Sequence, residues 1–322
     1  MSPQLDPQGR LRHLLTLDGL SAAGIEALLA AAGPLVAIPG AAAEYPATLA
    51  GCTVATLFFE PSTRTRCSFE LAAKRLGADT VNLGSSASST VKGESLTDTL
   101  HTLEAMNVDF LIVRHRDTGI CETLAECAGP HTIIVNAGEG HRDHPTQGLL
   151  DVLTISQHKP RFAGLRVAIV GDIIHSRVAR STVTALATLG VDDIRLVGLP
   201  AWLPHEAPFA TASRHTRLED GLADADVVMA LRIQKERMNE IELPDLETYF
   251  EHYGLTENRL AAAPDAIVMH PGPMNRGVEI DDEVADGPRS VIREQVRNGV
   301  AVRMAVMLRL LDNRHSRTEI LV

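Results

Sequence analysis

The chain has 322 residues, of which 45% are hydrophobic, and its formal net charge is −11. This length allows two domains of ordinary size. The negative charge argues against nucleic acid or an anionic membrane surface as a partner. The first residues lack the basic and apolar regions of a signal peptide, and no apolar run is long enough to span a bilayer. We therefore expect a cytoplasmic protein in which local positive groups hold any anionic ligand.

Motifs for metals and common cofactors are missing from the sequence. The four cysteines are Cys52, Cys67, Cys121 and Cys127. Their spacing does not suit a metal site, and we interpret them as reduced thiols of the core. The segment Val170-Gly171-Asp172 is not a G-x-G-x-x-G motif, and neither a Walker A lysine nor a Ser-His-Asp arrangement is present. We expect neither a metal nor a cofactor.

The first half of the chain alternates between predicted strands and helices. Residues 53–59 form a continuous apolar run, typical of a strand buried on both faces of a parallel sheet. Further strands are predicted at 80–83, 110–113 and 132–135, and helices begin near residues 21, 65, 95, 122 and 145. This alternation predicts a parallel α/β domain.

A second alternating series begins after Pro160. Strands are predicted at 165–172, 194–197, 227–231 and 267–269, with helices over 176–189 and 291–311. The sequence therefore predicts two doubly wound parallel-sheet α/β domains. We assign residues 1–157 to the first domain and 158–289 to the second. We expect a last helix, about 290–322, to pack back on the first domain.

A helix is predicted to begin at Ser62-Thr63-Arg64-Thr65, directly after the first strand. The first N–H groups of a helix have no partner within it and carry partial positive charge, so they favour an anion. The alternative interpretation is an ordinary capped helix with solvated arginines. Three hydroxyls and a guanidinium at the start of a buried helix favour a phosphate site.

Polar residues also follow other strands at the same end of each sheet. In a doubly wound sheet, ligands bind at the carboxyl ends of the strands. Besides 62–65, these ends carry Arg114, residues 144–147, Arg177, residues 232–237 and residues 270–273. Taken singly, each is most often a surface charge or a turn. Together they predict one active site, in the cleft between the two domains.

The chemistry of this set is that of group transfer. Guanidinium and hydroxyl groups bind phosphate and carboxylate. A histidine and an arginine can stabilise the negative charge that develops on a carbonyl oxygen. These residues therefore predict transfer from a phosphorylated donor without covalent catalysis.

Four motifs resemble the aspartate/ornithine carbamoyltransferase family. They are Ser62-Thr63-Arg64-Thr65-Arg66, His144-Pro145-Thr146-Gln147, Arg232-Ile233-Gln234-Lys235-Glu236 and His270-Pro271-Gly272-Pro273. The resemblance runs from about Leu14 to Leu311. Ornithine members typically carry a cysteine in a His-Cys-Leu-Pro turn, whereas this chain has Pro271 and no cysteine after residue 127. The resemblance is therefore to the aspartate members.

What the resemblance implies is transfer of the carbamoyl group of carbamoyl phosphate to the amine of L-aspartate. The products are N-carbamoyl-L-aspartate and phosphate, in an early step of pyrimidine biosynthesis. The amine attacks directly and the reaction passes through a tetrahedral intermediate.

The resemblance also implies a role for each site residue. Ser62, Thr63, Arg64 and Thr65 bind the phosphate of carbamoyl phosphate, Arg114 bridges phosphate and carbonyl oxygen, His144 donates to that oxygen, and Gln147 holds the NH2 group. Arg177, Arg232 and Gln234 bind the two carboxylates of aspartate, and the backbone of Gly272 and Pro273 binds the carbamoyl group from the other side. The catalytic set is His144, Arg114, Thr65, Arg64 and Lys92.

Ser88 and Lys92 resemble residues of a loop that enters the neighbouring subunit's site. A homotrimer with shared active sites is therefore implied. Members of the family also associate with separate regulatory chains or with dihydroorotase-like chains, and the sequence leaves both open. Residues 271–277 differ from the His-Pro-Leu-Pro-Arg form of other aspartate enzymes, and Arg276 is a candidate for the missing arginine. The Gly272-Pro273 bond is a candidate cis bond.

Two alternatives stay open at this point. One is a carbamoyltransferase that acts on an amine other than aspartate, although cationic and amide groups argue against a basic acceptor such as ornithine. The other is a catalytically silent homologue that serves as a scaffold. Such a protein is expected to lose Arg64, Lys92, Arg114 or His144, and all four are present.

Overall fold

The computed structural model describes residues 2–84, 94–233 and 245–318. The chain divides into two compact units, Met1–Leu149 with Arg297–Val322, and Leu150–Val296. Each unit contains one parallel sheet. Among the described residues, no helix combines the length and the apolar character needed to cross a membrane.

The first unit is built on a four-stranded sheet with the order β2-β1-β3-β4. Its strands are β1 (Thr53–Phe58), β2 (Asp79–Gly84), β3 (Phe110–His115) and β4 (Ile133–Glu139). The helices around it are α1 (Ala22–Ala32), α2 (Thr63–Arg75), α3 (Leu96–Ala105) and α4 (Ile120–Cys127), and α5 (Pro145–His158) begins in this unit. β1 and β3 contribute Ala55, Leu57, Leu111 and Val113 to a core that α3 and α4 cover.

The second unit is built on a five-stranded sheet with the order β7-β6-β5-β8-β9. Its strands are β5 (Arg166–Val170), β6 (Asp193–Val197), β7 (Ser213–His215), β8 (Val227–Ala230) and β9 (Ile267–Met269). Its helices are α6 (Arg177–Thr188), α7 (Leu218–Leu222), α8 (Leu246–Tyr253) and α9 (Asp282–Ala285), and the last helix, α10 (Ile292–Thr318), begins here.

In both sheets the strand order reverses beside the first strand of the unit. β1 lies between β2 and β3, and β5 lies between β6 and β8. At such a reversal the connections that leave two neighbouring strands diverge to opposite faces, which opens a crevice at their carboxyl ends. The prediction of two doubly wound parallel-sheet domains is confirmed.

The predicted strands match the observed ones, with one omission. The strands that the apolar runs predicted all form, within two residues at most ends. β7 was not predicted, because it is a three-residue edge strand without a buried side chain. A strand of this kind leaves no apolar run in the sequence.

The interpretation of all four cysteines as core thiols is wrong for two of them. All four are free, and Cys121 is buried, but Cys67 and Cys127 are exposed. On α2 the buried stripe contains Thr65 and Phe69, and Cys67 lies midway between them in sequence. A side chain two residues from a buried position projects from the opposite side of a helix. An apolar residue in an amphipathic helix is therefore buried only if it lies on the face that packs against the core.

The later turns of α10 contact elements of the first unit. The Arg303 guanidinium carbon lies 4.8 Å from the centre of the Phe69 ring. Arg314 Nη1 is 2.7 Å from Asp109 Oδ1, in the residue that precedes β3. These contacts give the C-terminal helix charged and aromatic partners at two separate points.

The N-terminal segment pairs with the edge strand β4. Leu14 N donates to Ile134 O at 3.0 Å, and Asn136 N donates to Leu14 O at 2.8 Å. His13 Nδ1 accepts a hydrogen bond from Ile134 N at 2.9 Å, and the His13 side chain is fully buried. Burial, aided by the charges of Arg12 and Arg317, lowers the pKa of His13 to about 3. The folded protein therefore holds this ring neutral.

We predict that His13→Asn flattens part of the pH dependence of stability. The pKa of His13 is about 3 in the folded chain against 6.5 for an unperturbed histidine. As the pH falls, His13 therefore takes up a proton in the unfolded chain before it does so in the folded chain. The free energy of unfolding then decreases as the pH drops below 6.5, by up to about 1.4 kcal/mol per pH unit. An asparagine oxygen keeps an acceptor for Ile134 N but does not titrate.

The measurement is the free energy of unfolding in denaturant at pH 7.5 and pH 5. The wild type should lose about 2 kcal/mol more than His13→Asn between the two values. The control is His131→Asn, at an exposed histidine of the same unit, and it should follow the wild type. Parallel curves for the wild type and His13→Asn would contradict the assignment.

Candidate active site

The start of α2 carries a serine that does not cap its helix. Ser62 occupies the N-cap position with extended backbone, as predicted, but its side chain makes no capping hydrogen bond among the described residues. In the same chain Ser21, Ser95 and Ser176 each accept a hydrogen bond from the backbone N–H three residues on. The Ser62 hydroxyl is thus not used in helix formation, and the α2 start keeps the character of an anion site.

Arg114 lies near the end of β3 and is held there by two partners. Its backbone pairs with Phe58 in β1, the last residue of that strand. The side chain is buried; Nη2 is 2.6 Å from Glu60 Oε1, and Nη1 donates to Ala137 O at 3.2 Å. The guanidinium charge is therefore fixed beside the β1–α2 connection that contains Ser62. No role was predicted for Glu60 from the sequence. Its only signal in the sequence is that it is an acidic residue in a turn that also contains arginine.

His144 and Gln147 lie at the start of α5, which follows β4. Pro145 takes the first helical position, as predicted. Both side chains are buried, and Gln147 N donates to His144 O at 2.9 Å. The preceding residue, Asp143, accepts a hydrogen bond from Thr16 Oγ1 at 2.8 Å. The N-terminal segment thereby supports the loop that carries His144.

One edge of the first sheet therefore collects three groups. Strands β1, β3 and β4 are adjacent in the sheet. The 62–65 segment follows β1, Arg114 lies near the end of β3, and the 144–147 segment follows β4. A helix start, a buried guanidinium and a buried imidazole together suit a phosphate and a carbonyl oxygen.

In the second unit, Arg177 and Arg232 follow the neighbouring strands β5 and β8. Arg177 is the first residue of α6 and is buried, while Arg232 is partly buried. The two strand ends approach closely at Gly171, whose φ is +126° and where an added Cβ would lie 2.9 Å from Leu231 O. Only glycine permits this approach. The approach brings the connection that leads to Arg177 close to the connection that leads to Arg232.

The turn after β9 presents backbone acceptors. Its Gly272-Pro273 bond is cis and Gly272 has φ +65°. Pro271 and Pro273 have no N–H group, and Gly272 N donates to His270 Nδ1 at 2.8 Å. The backbone groups of this turn that can contact a ligand are therefore carbonyl oxygens. Such a surface suits an amide NH2 or an ammonium group.

Some predicted residues take other positions or lie outside the described ranges. Ser88, Lys92 and Gln234 fall in the ranges that the structure does not describe. Arg276, the candidate for a missing arginine, is held by the carboxylates of Asp282 and Asp286 beside α9. Within the described residues, no group of three or more His, Cys, Asp or Glu side chains is placed to hold a metal ion.

This architecture defines a class: two-unit α/β proteins in which cationic and hydroxyl side chains follow the strand ends of each parallel sheet. Residues 12–157 match the family model of the aspartate/ornithine carbamoyltransferase carbamoyl-P binding domain, and residues 163–310 match that of the Asp/Orn binding domain. The chain belongs to the aspartate/ornithine carbamoyltransferase family. The membership and enzyme class that the motifs predicted are confirmed.

Solved structures of both acceptor types are similar to the chain. Aspartate transcarbamoylase from Trypanosoma cruzi in complex with carbamoyl aspartate and phosphate is 31% identical, with a TM-score of 0.83 over 94% of this chain and 98% of that one. The same enzyme with N-(phosphonacetyl)-L-aspartic acid is 32% identical, with a TM-score of 0.79 over 92% and 94%. Ornithine carbamoyltransferase from Thermus thermophilus is 27% identical, with a TM-score of 0.82 over 93% and 99%.

We predict that Ser62→Ala leaves stability nearly unchanged, although Ser62 is an N-cap residue. Replacing a capping serine by alanine typically costs about 1 kcal/mol. Because the Ser62 side chain makes no capping bond in the described part of the chain, its replacement should cost less than about 0.5 kcal/mol. Ser95→Ala in the same unit is the matched control, since Ser95 Oγ accepts from Asp98 N at 3.0 Å. Denaturant unfolding of both variants tests the difference, and equal losses would show that Ser62 does cap α2.

Proposed function

We propose that this protein transfers the carbamoyl group of carbamoyl phosphate to L-aspartate, giving N-carbamoyl-L-aspartate and phosphate, as an early step of pyrimidine biosynthesis. The observation that carries the proposal is the convergence, at three adjacent strand ends, of a helix start whose serine makes no capping bond within the described part of the chain, a buried arginine and a buried histidine. Each group matches one part of carbamoyl phosphate.

The phosphate binds at the start of α2. Ser62, Thr63, Arg64 and Thr65 supply hydroxyls, backbone N–H groups and positive charge, all of which favour a dianion. Arg114 bridges the phosphate and the carbonyl oxygen, and Glu60 keeps its guanidinium oriented in a fixed direction. Gln147 holds the carbamoyl NH2 group.

The reaction needs stabilisation of one oxyanion. The neutral amine of aspartate attacks the carbamoyl carbon, a C–N bond forms, and negative charge develops on the carbonyl oxygen. Arg114, His144 and Thr65 donate to that oxygen, a contribution of about 3 kcal/mol for a well-placed donor. The C–O bond to phosphate then breaks, and the leaving phosphate accepts the proton of the amine.

The acceptor is bound by groups of the second unit. Arg177, Arg232 and Gln234 suit the two carboxylates of aspartate by charge and fork geometry. The carbonyl oxygens of the Gly272-Pro273 turn suit the carbamoyl NH2 group. Pro271, in place of the cysteine of ornithine members, supports aspartate as the acceptor. So does the higher sequence identity to the T. cruzi aspartate transcarbamoylase structures, 31% and 32%, than to the T. thermophilus ornithine carbamoyltransferase, 27%.

The proposal includes a cytoplasmic homotrimer with shared sites. Ser88 and Lys92 would enter the site of a neighbouring subunit, as the family resemblance implies. Regulatory or dihydroorotase-like chains are compatible with this assembly, and the proposed reaction does not require them.

The first experiment is an assay of the purified chain alone with carbamoyl phosphate. Aspartate, ornithine and N-acetylornithine are offered separately, and carbamoylated products are identified by mass spectrometry. We expect a carbamoylated product only when aspartate is the acceptor. Transfer to ornithine instead would overturn the proposed acceptor, and no transfer to any acceptor would overturn the proposed activity of the isolated chain.

We predict that His144→Ala lowers kcat about 100-fold to 1,000-fold, because the variant loses one donor to the developing oxyanion. The Kd of carbamoyl phosphate should change by less than about 10-fold, because the phosphate is bound mainly at the α2 start and by Arg114. Single-turnover kinetics and isothermal titration measure the two quantities. Equal losses in both would assign His144 to ground-state binding.

A further inference from the structure

A buried histidine and a buried glutamate lie behind the Gly272-Pro273 turn. Both His270 and Glu279 are 1% exposed. His270 Nε2 lies 3.2 Å from Glu279 Oε1, and His270 Nδ1 lies 2.8 Å from Gly272 N. Neither residue has a role in the substrate contacts described above.

The hydrogen bonds fix the protonation of the His270 ring. Gly272 N can only donate, so Nδ1 is the acceptor and carries no proton. The proton of the neutral ring is then on Nε2, which donates to the Glu279 carboxylate. Glu279 thereby selects the tautomer that can hold the Gly272 N–H group.

The same carboxylate oxygen also holds the other side of the loop. Asn275 N donates to Glu279 Oε1 at 2.5 Å. The residues on both sides of the cis bond are thus fixed by one buried group. Glu279 Oε2 is buried without a hydrogen-bond partner among the described residues, so an amide nitrogen could take its place without displacing an existing hydrogen bond.

A buried polar chain extends from His270 to the helix that begins with Arg177. His270 N donates to Gln295 Oε1 at 2.9 Å, and Gln295 Nε2 donates to Asp151 Oδ1 at 2.8 Å. Thr182 Oγ1, on α6, donates to the second oxygen of Asp151 at 2.8 Å. The turn and α6 are therefore parts of one hydrogen-bonded network, which favours a fixed geometry.

We propose that Glu279 is a positioning residue for carbamoyl transfer, acting through His270 to hold the Gly272-Pro273 turn with its carbonyl oxygens presented to the substrate. The proposal rests on the proposed function for its kinetic part. Its structural part, the dependence of the Gly272 N–H group on Glu279, stands independently.

The kinetic test compares two substitutions at one position. Glu279→Leu removes the acceptor for both His270 and Asn275, and a displaced turn should lower kcat about 100-fold. Glu279→Gln keeps an oxygen acceptor and should remain within about 10-fold of the wild type. Both variants should leave the Kd of inorganic phosphate unchanged, because the proposed phosphate site lies on the first unit. Glu283→Ala, at an exposed glutamate of α9, is the matched control for loss of charge and should keep wild-type kcat.

The structural test is hydrogen exchange by mass spectrometry. Because residues 271 and 273 are proline, Gly272 carries the only backbone amide hydrogen between His270 and Met274. Its exchange should be slow in the wild type and in Glu279→Gln, and at least 10-fold faster in Glu279→Leu. Peptides from the first unit should exchange equally in all variants, which separates a local effect from unfolding.

The outcomes separate the two proposals. Faster Gly272 exchange together with lower kcat in Glu279→Leu, and recovery of both in Glu279→Gln, supports the positioning role. Unchanged Gly272 exchange or unchanged kcat in a folded Glu279→Leu protein overturns it. If the wild type carbamoylates no aspartate while Gly272 exchange still depends on Glu279, the proposed acceptor fails and the structural part of the pair is supported.

Discussion

The parallel alignment of strands is the constraint on which the site depends. Parallel strands end at the same edge of a sheet, so residues far apart in sequence become neighbours there. Phe58 pairs with Arg114, and the Glu60 carboxylate meets the Arg114 guanidinium at 2.6 Å across 54 positions of sequence. The hydrophobic strand cores set the register, and the register decides which polar groups meet. The packing of apolar side chains in the middle of the strands therefore determines which polar groups lie together at the strand ends.

Each unit adds a second layer of buried polar contacts behind the candidate site residues. In the first unit, Asp143 is held by Thr16 and thereby steadies the residue that precedes His144. In the second, Glu279 and Gln295 hold His270. Buried polar groups are costly unless they are hydrogen-bonded, so such contacts keep their geometry once formed. Fixed orientation is the property that a site needs if it is to stabilise a short-lived charge.

Much of this fold follows from the sequence, because long apolar runs predict the central strands and the motifs after them mark the strand ends. The edge strand β7 was missed because three partly exposed residues have no periodicity to detect. Cys67 was misplaced because its position on the helix face, and not its apolar character, decides burial. Glu60 was missed as a support because its partner Arg114 lies 54 residues away in sequence. Glu279 was missed because the irregular loop that folds it onto His270, nine residues before it, has no periodicity to detect. Local sequence could predict which polar groups follow the strand ends, but not the groups that hold them.

The start of α2 connects the proposed substrate with the stability of the fold. Among the residues that the structure describes, the side chain of its N-cap residue, Ser62, accepts no hydrogen bond from the first N–H groups of the helix. In the proposed function a bound phosphate group takes the place of the missing cap, so the ligand completes the helix as well as entering the reaction. A ligand at 100 times its Kd stabilises the state that binds it by about 2.7 kcal/mol. The fraction of the chain that is folded would then rise with the supply of its own phosphorylated substrate.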